Sequence, residues 1–322
     1  MMENILRIRD LSVNYQTNRG ILKALRHVNL DIPKSSIVGV VGESGCGKST
    51  LITSIIRQLD DNADIPNGLI EFEKQDLLKL SKDEIRNISG TKISIVFQNP
   101  MSTLNPVISI GRQMIDIQYR DQISKKIKKQ RSIDMLTKVG LPDPHIQFNQ
   151  YPHELSGGMQ QRVSIAMALQ AGPSLLIADE PTTALDATLE VQILKLLKEL
   201  QEEMGCSILF VSHHLGVIAE LCDHVVVMYA GQVVEQGSTY EIFNKPAHPY
   251  TIKLLECDPA SISKKQRLLP TIPGEIPDLI NLSKGCIFKN RCSQSIDRCA
   301  QETPIWKEFD NAHFVSCHLT ES

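Results

Sequence analysis

Nine consecutive residues, Gly42-Glu43-Ser44-Gly45-Cys46-Gly47-Lys48-Ser49-Thr50, have the spacing G-x-x-x-x-G-K-[ST]. Glycines at these positions let backbone N–H groups curl around an anion without Cβ clashes. Lys48 can reach the terminal phosphates of a nucleoside triphosphate, and the Ser49 hydroxyl can hold Mg²⁺. The flanks agree with that chemistry. An apolar run, Ile37 to Val41, reads as a strand, and a helix is expected over Leu51 to Leu59 with its N-terminal donors facing the phosphates. A second signal is Leu175-Leu176-Ile177-Ala178-Asp179-Glu180, an apolar strand that ends on two acids. Alone, such a pair often only closes a strand. After a phosphate loop it predicts Asp179 beside Mg²⁺ and Glu180 placed to orient or deprotonate a water.

The third signal is Leu155-Ser156-Gly157-Gly158-Met159-Gln160-Gln161. Ser156 is a natural helix N-cap, and the two glycines let the backbone approach an anion at the helix start. Together with the phosphate loop and LLIADEP, this LSGGMQQ string resembles the ATP-binding subunits of ABC transporters, over about residues 4 to 255. The resemblance implies an α/β P-loop cassette with a mixed sheet core, an antiparallel β section and a helical subdomain, using ATP and Mg²⁺. It also gives further residues roles. Tyr15 would stack on adenine, and Gln98 would contact Mg²⁺ and water and sense the membrane partner. Asp186, in Thr183-Ala184-Leu185-Asp186, lies in the loop that crosses to a second subunit, and His213 would contact the γ-phosphate. Ser156, Gly157, Gly158 and Gln160 would close on a nucleotide held by that second subunit. His214 departs from the pattern, since many relatives carry Asp there.

Three more stretches narrow the resemblance to importer ATPases for dipeptides, oligopeptides and nickel: Gln98 to Pro106, Ala247-His248-Pro249-Tyr250-Thr251, and Ile272 to Pro277. The implied assembly has a second ABC ATPase subunit, alike or different. Two transmembrane permeases and, indirectly, an extracytoplasmic substrate-binding protein complete it. The chain would then sit on the cytoplasmic face of the membrane. An exporter ATPase is the nearer alternative and a soluble ABC ATPase the more distant one. Cys286, Cys292, Cys299 and Cys317 form C-x5-C-x6-C-x17-C near the end of the chain. In similar proteins such a tail can hold a [4Fe–4S] cluster, and four thiolates are the usual ligand set. The spacing lacks the tight C-x2-C pairs of zinc ribbons, which favours iron–sulfur over a four-thiolate zinc site or free thiols.

The elements that must position these residues follow from patterning. Ile5 to Tyr15 and Val28 to Ile32 alternate as strands, and Gly68 to Phe72 and Lys92 to Gln98 supply two more. From about 99 to 173 the texture turns helical, with helices over Ile110 to Tyr119, Ile127 to Val139 and Gly158 to Leu169. Leu175 to Ala178, Ser207 to Val211 and Val225 to Met228 are short all-apolar runs, read as buried parallel strands alternating with helices such as Leu189 to Met204. The expected domains are therefore a nucleotide-binding domain over 1–255 and a small Cys-rich extension over 256–322.

Composition agrees with a globular protein: of 322 residues, 42% are hydrophobic and 22% charged, enough to bury a sizeable core. A net charge of −3 gives no general basic footprint, so no nucleic-acid partner is expected. Lys125, Lys126, Lys128, Lys129 and Arg131 read as a solvated helix face. No run of about 18 apolar residues occurs, so no transmembrane helix is expected.

Overall fold

A computed structural model describes residues 3–183, 185–258, 270–310 and 312–320. Ala184 and parts of the 256–322 extension lie outside the described residues. In chain order the strands are β1 (Asn4–Thr17), β2 (Gly20–Pro33), β3 (Ile37–Val41), β4 (Ala63–Phe72), β5 (Gln75–Asp76), β6 (Ile93–Val96), β7 (Leu175–Asp179), β8 (Ser207–Val211), β9 (His224–Tyr229), β10 (Gln232–Ser238), β11 (Lys307–Asp310) and β12 (His313–Val315). The helices are α1 (Lys48–Ile55), α2 (Lys82–Ile88), α3 (Pro100–Thr103), α4 (Ile110–Asp116), α5 (Lys125–Lys138), α6 (Pro144–Gln147), α7 (Gly157–Leu169), α8 (Ala187–Met204), α9 (Leu215–Leu221), α10 (Thr239–Asn244), α11 (Pro249–Glu256) and α12 (Asp297–Gln301).

Two compact units result: one holds the residues up to Lys79 together with those from Phe210 onward, and the other is Leu80–Leu209. The division falls within β8. In the first unit, β1 pairs antiparallel with β2 on one side and β4 on the other. Alternation buries Leu6 and Ile8 before a register shift, and Leu11 and Val13 after it. Asp10, at φ 51°, accompanies a register shift between Ile8 and Leu11, which bends the strand. β2 is longer than the Val28 to Ile32 run, because its first half is half-polar and has no clean alternation. β3, buried throughout, pairs parallel with β9, as its continuous apolar run requires.

The C-terminal extension does not stand apart from this unit. β12 pairs antiparallel with β10, and β11 with β12, so its described strands lengthen the sheet that contains β3. Glu235, fully buried on β10, fastens this edge. Its carboxylate accepts the backbone N–H groups of Ala247 and His248 at 2.6 and 3.0 Å, and it meets His313 Nε2 at 2.7 Å.

In the second unit β6 pairs parallel with β7, and helices α2 to α8 make up the rest. It runs from 80 to 209, so the helical stretch expected over about 99 to 173 lies inside it together with strands β6 and β7. α8 shows how the local signals act: Asp186 caps it, an apolar stripe with Ile193, Leu194, Leu197 and Leu200 is buried, and Gly205 ends it at φ 66°. The basic residues of α5 are exposed or half-buried, as a solvated face should be. Among the described residues no helix is long and apolar enough to cross a membrane.

Candidate active site

In the first unit the loop leaves β3 at Val41 and enters α1 at Lys48. Helix α1 begins at the lysine itself, three residues before the expected Leu51, because Gly47 at φ 105° turns the chain into it. A Cβ on Gly42 would lie 2.1 Å from the Met228 carbonyl oxygen, so only glycine fits against β9 there. Lys48 is buried and its Nζ donates to the Gly42 carbonyl at 2.6 Å, with the Cys46 sulfur 3.7 Å away. A cation is thus held inside the loop that it would share with a phosphate. Ser44, Gly45 and Ser49 are exposed, while Cys46 is buried and its thiol is pushed upward in pKa by that burial.

His213 belongs to the same unit. It follows β8 on a turn fixed by Ser212, whose N–H donates to Val40 of β3 at 3.2 Å and whose hydroxyl accepts the His214 N–H at 3.0 Å. The His213 ring is exposed and meets the His214 ring edge-on at 4.3 Å. Tyr15 lies half-buried on β1, paired with Leu22 and Ala63.

The second unit brings together Gln98 and Glu180, which lie 82 positions apart. Gln98 Nε2 donates to Glu180 Oε2 at 3.1 Å, and the Thr183 hydroxyl donates to the same oxygen at 3.1 Å. Asp179 closes β7, half-buried. Glu180 follows it in the left-handed region at φ 47°, a conformation that costs on the order of 1–3 kcal/mol for a non-glycine residue. No local pattern marks Thr183 as a partner of Glu180.

α7 starts at Gly157 with Ser156 as its N-cap, the hydroxyl accepting from the Met159 N–H at 3.3 Å. A Cβ on Gly157 would meet nothing within 4 Å, so the helix start faces open space. Gly158 packs tightly, with Leu189 3.1 Å from the position of an added Cβ. Gln160, expected on the nucleotide, is buried and donates to the carbonyls of Pro152 and Leu155 at 2.8 and 3.2 Å, because its place on α7 points it back under the preceding turn. It positions that turn. Asp186 accepts the N–H groups of Thr188 and Leu189, both at 3.0 Å.

Cys286, Cys292, Cys299 and Cys317 line one small, predominantly apolar cavity together with Phe288 and His248. Burial raises the Cys286 thiol to about 11 and also raises those of Cys292 and Cys317; it lowers His248 to about 4, which keeps that ring neutral. Among the described residues no three His, Cys, Asp or Glu side chains are grouped so as to hold a metal ion.

The ABC transporter family pattern matches residues 25–183, and that of the oligopeptide/dipeptide transporter C-terminal region matches 234–299. The chain is 44% identical to the oligopeptide transport ATP-binding protein OppD of Bacillus subtilis (strain 168), over 98% of this chain and 88% of that one. The chain belongs to the ATP-binding proteins of the ABC transporter family. It is 40% identical to the dipeptide transport ATP-binding protein DppD of Escherichia coli (strain K12), over 98% of this chain and 96% of that one. Among solved structures, the ATP-binding cassette MJ0796 in a dimeric post-hydrolysis state with ADP and Pi is 30% identical with a TM-score of 0.65, covering 73% of this chain and 98% of that one. The cbiO1 structure from Clostridium perfringens, part of the ABC transporter complex cbiONQ, is also 30% identical, with a TM-score of 0.66 over 76% of this chain and 92% of that one.

Proposed function

We propose that this chain is the ATP-hydrolysing subunit of an importer of dipeptides or oligopeptides, acting peripherally at the cytoplasmic face of the membrane. The observation that carries the catalytic part is Glu180, held left-handed with Gln98 and Thr183 on one carboxylate oxygen. In this reading the phosphate loop 42–50 and Lys48 grip the triphosphate, Ser49 and Asp179 serve Mg²⁺, and Tyr15 flanks the base. Gln98 and Glu180 orient a water for in-line attack on the γ-phosphorus, and Glu180 takes its proton. A new P–O bond forms to water, the bond to the bridging oxygen breaks, and ADP leaves with its electron pair. His213 stabilises the charge that develops on the γ-phosphoryl oxygens.

Ser156, Gly157 and Gly158 form a helix start that faces open space and is suited to a nucleotide held by a second ATPase subunit. Asp186 belongs to the same shared interface. Two permeases complete the assembly, fed by an extracytoplasmic binding protein. The relatives described above are named for peptide cargo, which favours peptides over nickel or a metal–chelator complex.

The cysteine-lined cavity fits the chemistry of a [4Fe–4S] cluster. Cys286, Cys292, Cys299 and Cys317 line one small, predominantly apolar space, and four thiolates are the usual ligand set of such a cluster. Bound, it would cross-link the 286–317 segment through four iron–thiolate bonds. Iron and acid-labile sulfide analysis of anaerobically purified protein, expected at about four of each per chain, checks this assignment.

For the catalytic assignment, Glu180→Gln in the purified, assembled transporter should abolish steady-state ATP hydrolysis while ATP binding persists. Hydrolysis within tenfold of wild type would show that Glu180 is not the base.

A further inference from the structure

The phosphate loop has a partner that its own chemistry does not require. Arg291 is buried, next in sequence to Cys292, and its guanidinium reaches the second residue of the loop. Nη1 donates to Glu43 Oε2 at 2.6 Å and Nη2 to Glu43 Oε1 at 3.0 Å, the bidentate fork that gives an arginine–carboxylate pair its directionality. The remaining donors are also used. Nη1 donates to the Tyr229 hydroxyl at 3.3 Å, Nη2 to the Ile272 carbonyl at 3.1 Å, and Nε to the Pro273 carbonyl at 2.9 Å. Five acceptors for five N–H donors leave the side chain one orientation.

Glu43 is held from its backbone as well. Its N–H donates to the Tyr250 hydroxyl at 2.9 Å. Tyr250, Tyr229 and Phe288 pack with ring centroids 4.6 to 5.5 Å apart, and Phe288 is itself a wall of the cysteine-lined cavity. A continuous set of packed and hydrogen-bonded side chains therefore runs from that cavity to Glu43. The segment carrying Pro273 also reaches the hairpin that bears Tyr15: Lys23 N–H donates to the Leu279 carbonyl at 3.1 Å, and Arg19 pairs with Asp278 at 3.3 Å.

We infer that Arg291 is a positioning residue for the phosphate loop, through which the cysteine-bearing extension and nucleotide binding are coupled. The loop must hold its N–H groups in the shape of a phosphate, and Glu43 is the point where the extension fixes that shape. Because coupling between two sites is reciprocal, nucleotide binding should in turn tighten the Arg291 segment. The inference rests on the reading of residues 42–50 as the triphosphate cradle.

The test is equilibrium binding of a non-hydrolysable MgATP analogue to the full chain, with amide hydrogen exchange followed at 42–48 and 286–299. Arg291→Gln and Glu43→Gln should each weaken binding by about tenfold, within the usual range of allosteric coupling. The double variant should be no weaker than either single one, since the pair acts as a unit. Arg291→Lys, which keeps the charge and loses the fork, should rescue binding only in part. Exchange at 42–48 should rise in Arg291→Gln, and the nucleotide-induced slowing at 286–299 expected of wild type should vanish. Additive losses in the double variant, or affinity and loop exchange within twofold of wild type in the correctly folded Glu43→Gln chain, would overturn the inference. Failure of the wild-type chain to bind the analogue would instead overturn the reading of the loop.

Discussion

Two helices in this molecule begin on glycine-rich turns, and they are finished differently. α1 starts at Lys48, with the lysine buried and its ammonium folded onto the Gly42 carbonyl. α7 starts at Gly157 behind an exposed Ser156 cap, and an added Cβ at Gly157 would point into open space. Both present orphan backbone donors and the positive end of a helix. Only the first brings its own full positive charge. On the proposed function the α1 turn therefore holds a triphosphate by itself, while the α7 turn closes on a nucleotide held elsewhere. The difference lies in what surrounds the glycines, since the glycines themselves are common to both.

Substitutions can break that contrast one side at a time. The largest effect is expected from Lys48→Ala, which removes the positive charge that residues 42–50 bring to a phosphate. It should weaken binding of a MgATP analogue by about 100-fold or more, the scale seen when one preorganised donor is lost from a charged site. Ser156→Ala, measured by ATP-driven association of the subunits, should have the smallest effect. Loss of one N-cap costs about 1 kcal/mol at the start of α7, so association should weaken by about fivefold while nucleotide affinity of the isolated subunit stays unchanged. If Ser156→Ala weakened nucleotide affinity as much as Lys48→Ala, the two turns would not differ in the way their structures indicate.

The two turns also differ in how far the sequence exposes their surroundings. The phosphate loop is a local pattern of nine residues between a strand and a helix, and its spacing alone names the chemistry. Ser156 as a cap was legible for the same reason. Gln160 was not, because its position in the LSGGMQQ string says nothing of which side of α7 it faces, and the structure turns it inward onto Pro152 and Leu155. Contacts made across long stretches of chain left no local trace. The Gln98 bond to Glu180 spans 82 residues, and the Arg291 fork on Glu43 spans 248. Tyr250 was singled out within His-Pro-Tyr-Thr, yet its hydroxyl's bond to the Glu43 N–H is a tertiary fact with no sequence period behind it. The short β12, only three residues long, carries too little alternation to announce its pairing with β10. The extension consequently read as a separate piece, although its strands complete the edge of the sheet.

On the proposed function one turn grips the nucleotide and the other only closes over it. Gly157→Asp tests this most directly, because the site has room for the side chain, and an acid at the first turn of a helix is otherwise favourable. The measurement is a titration of the isolated variant subunit with a MgATP analogue, alongside its nucleotide-driven association by sedimentation. The expected result is an affinity within twofold of wild type, with association lost through repulsion of the partner's phosphates. A loss of affinity as large as that of Lys48→Ala, or association that survives unchanged, would contradict it.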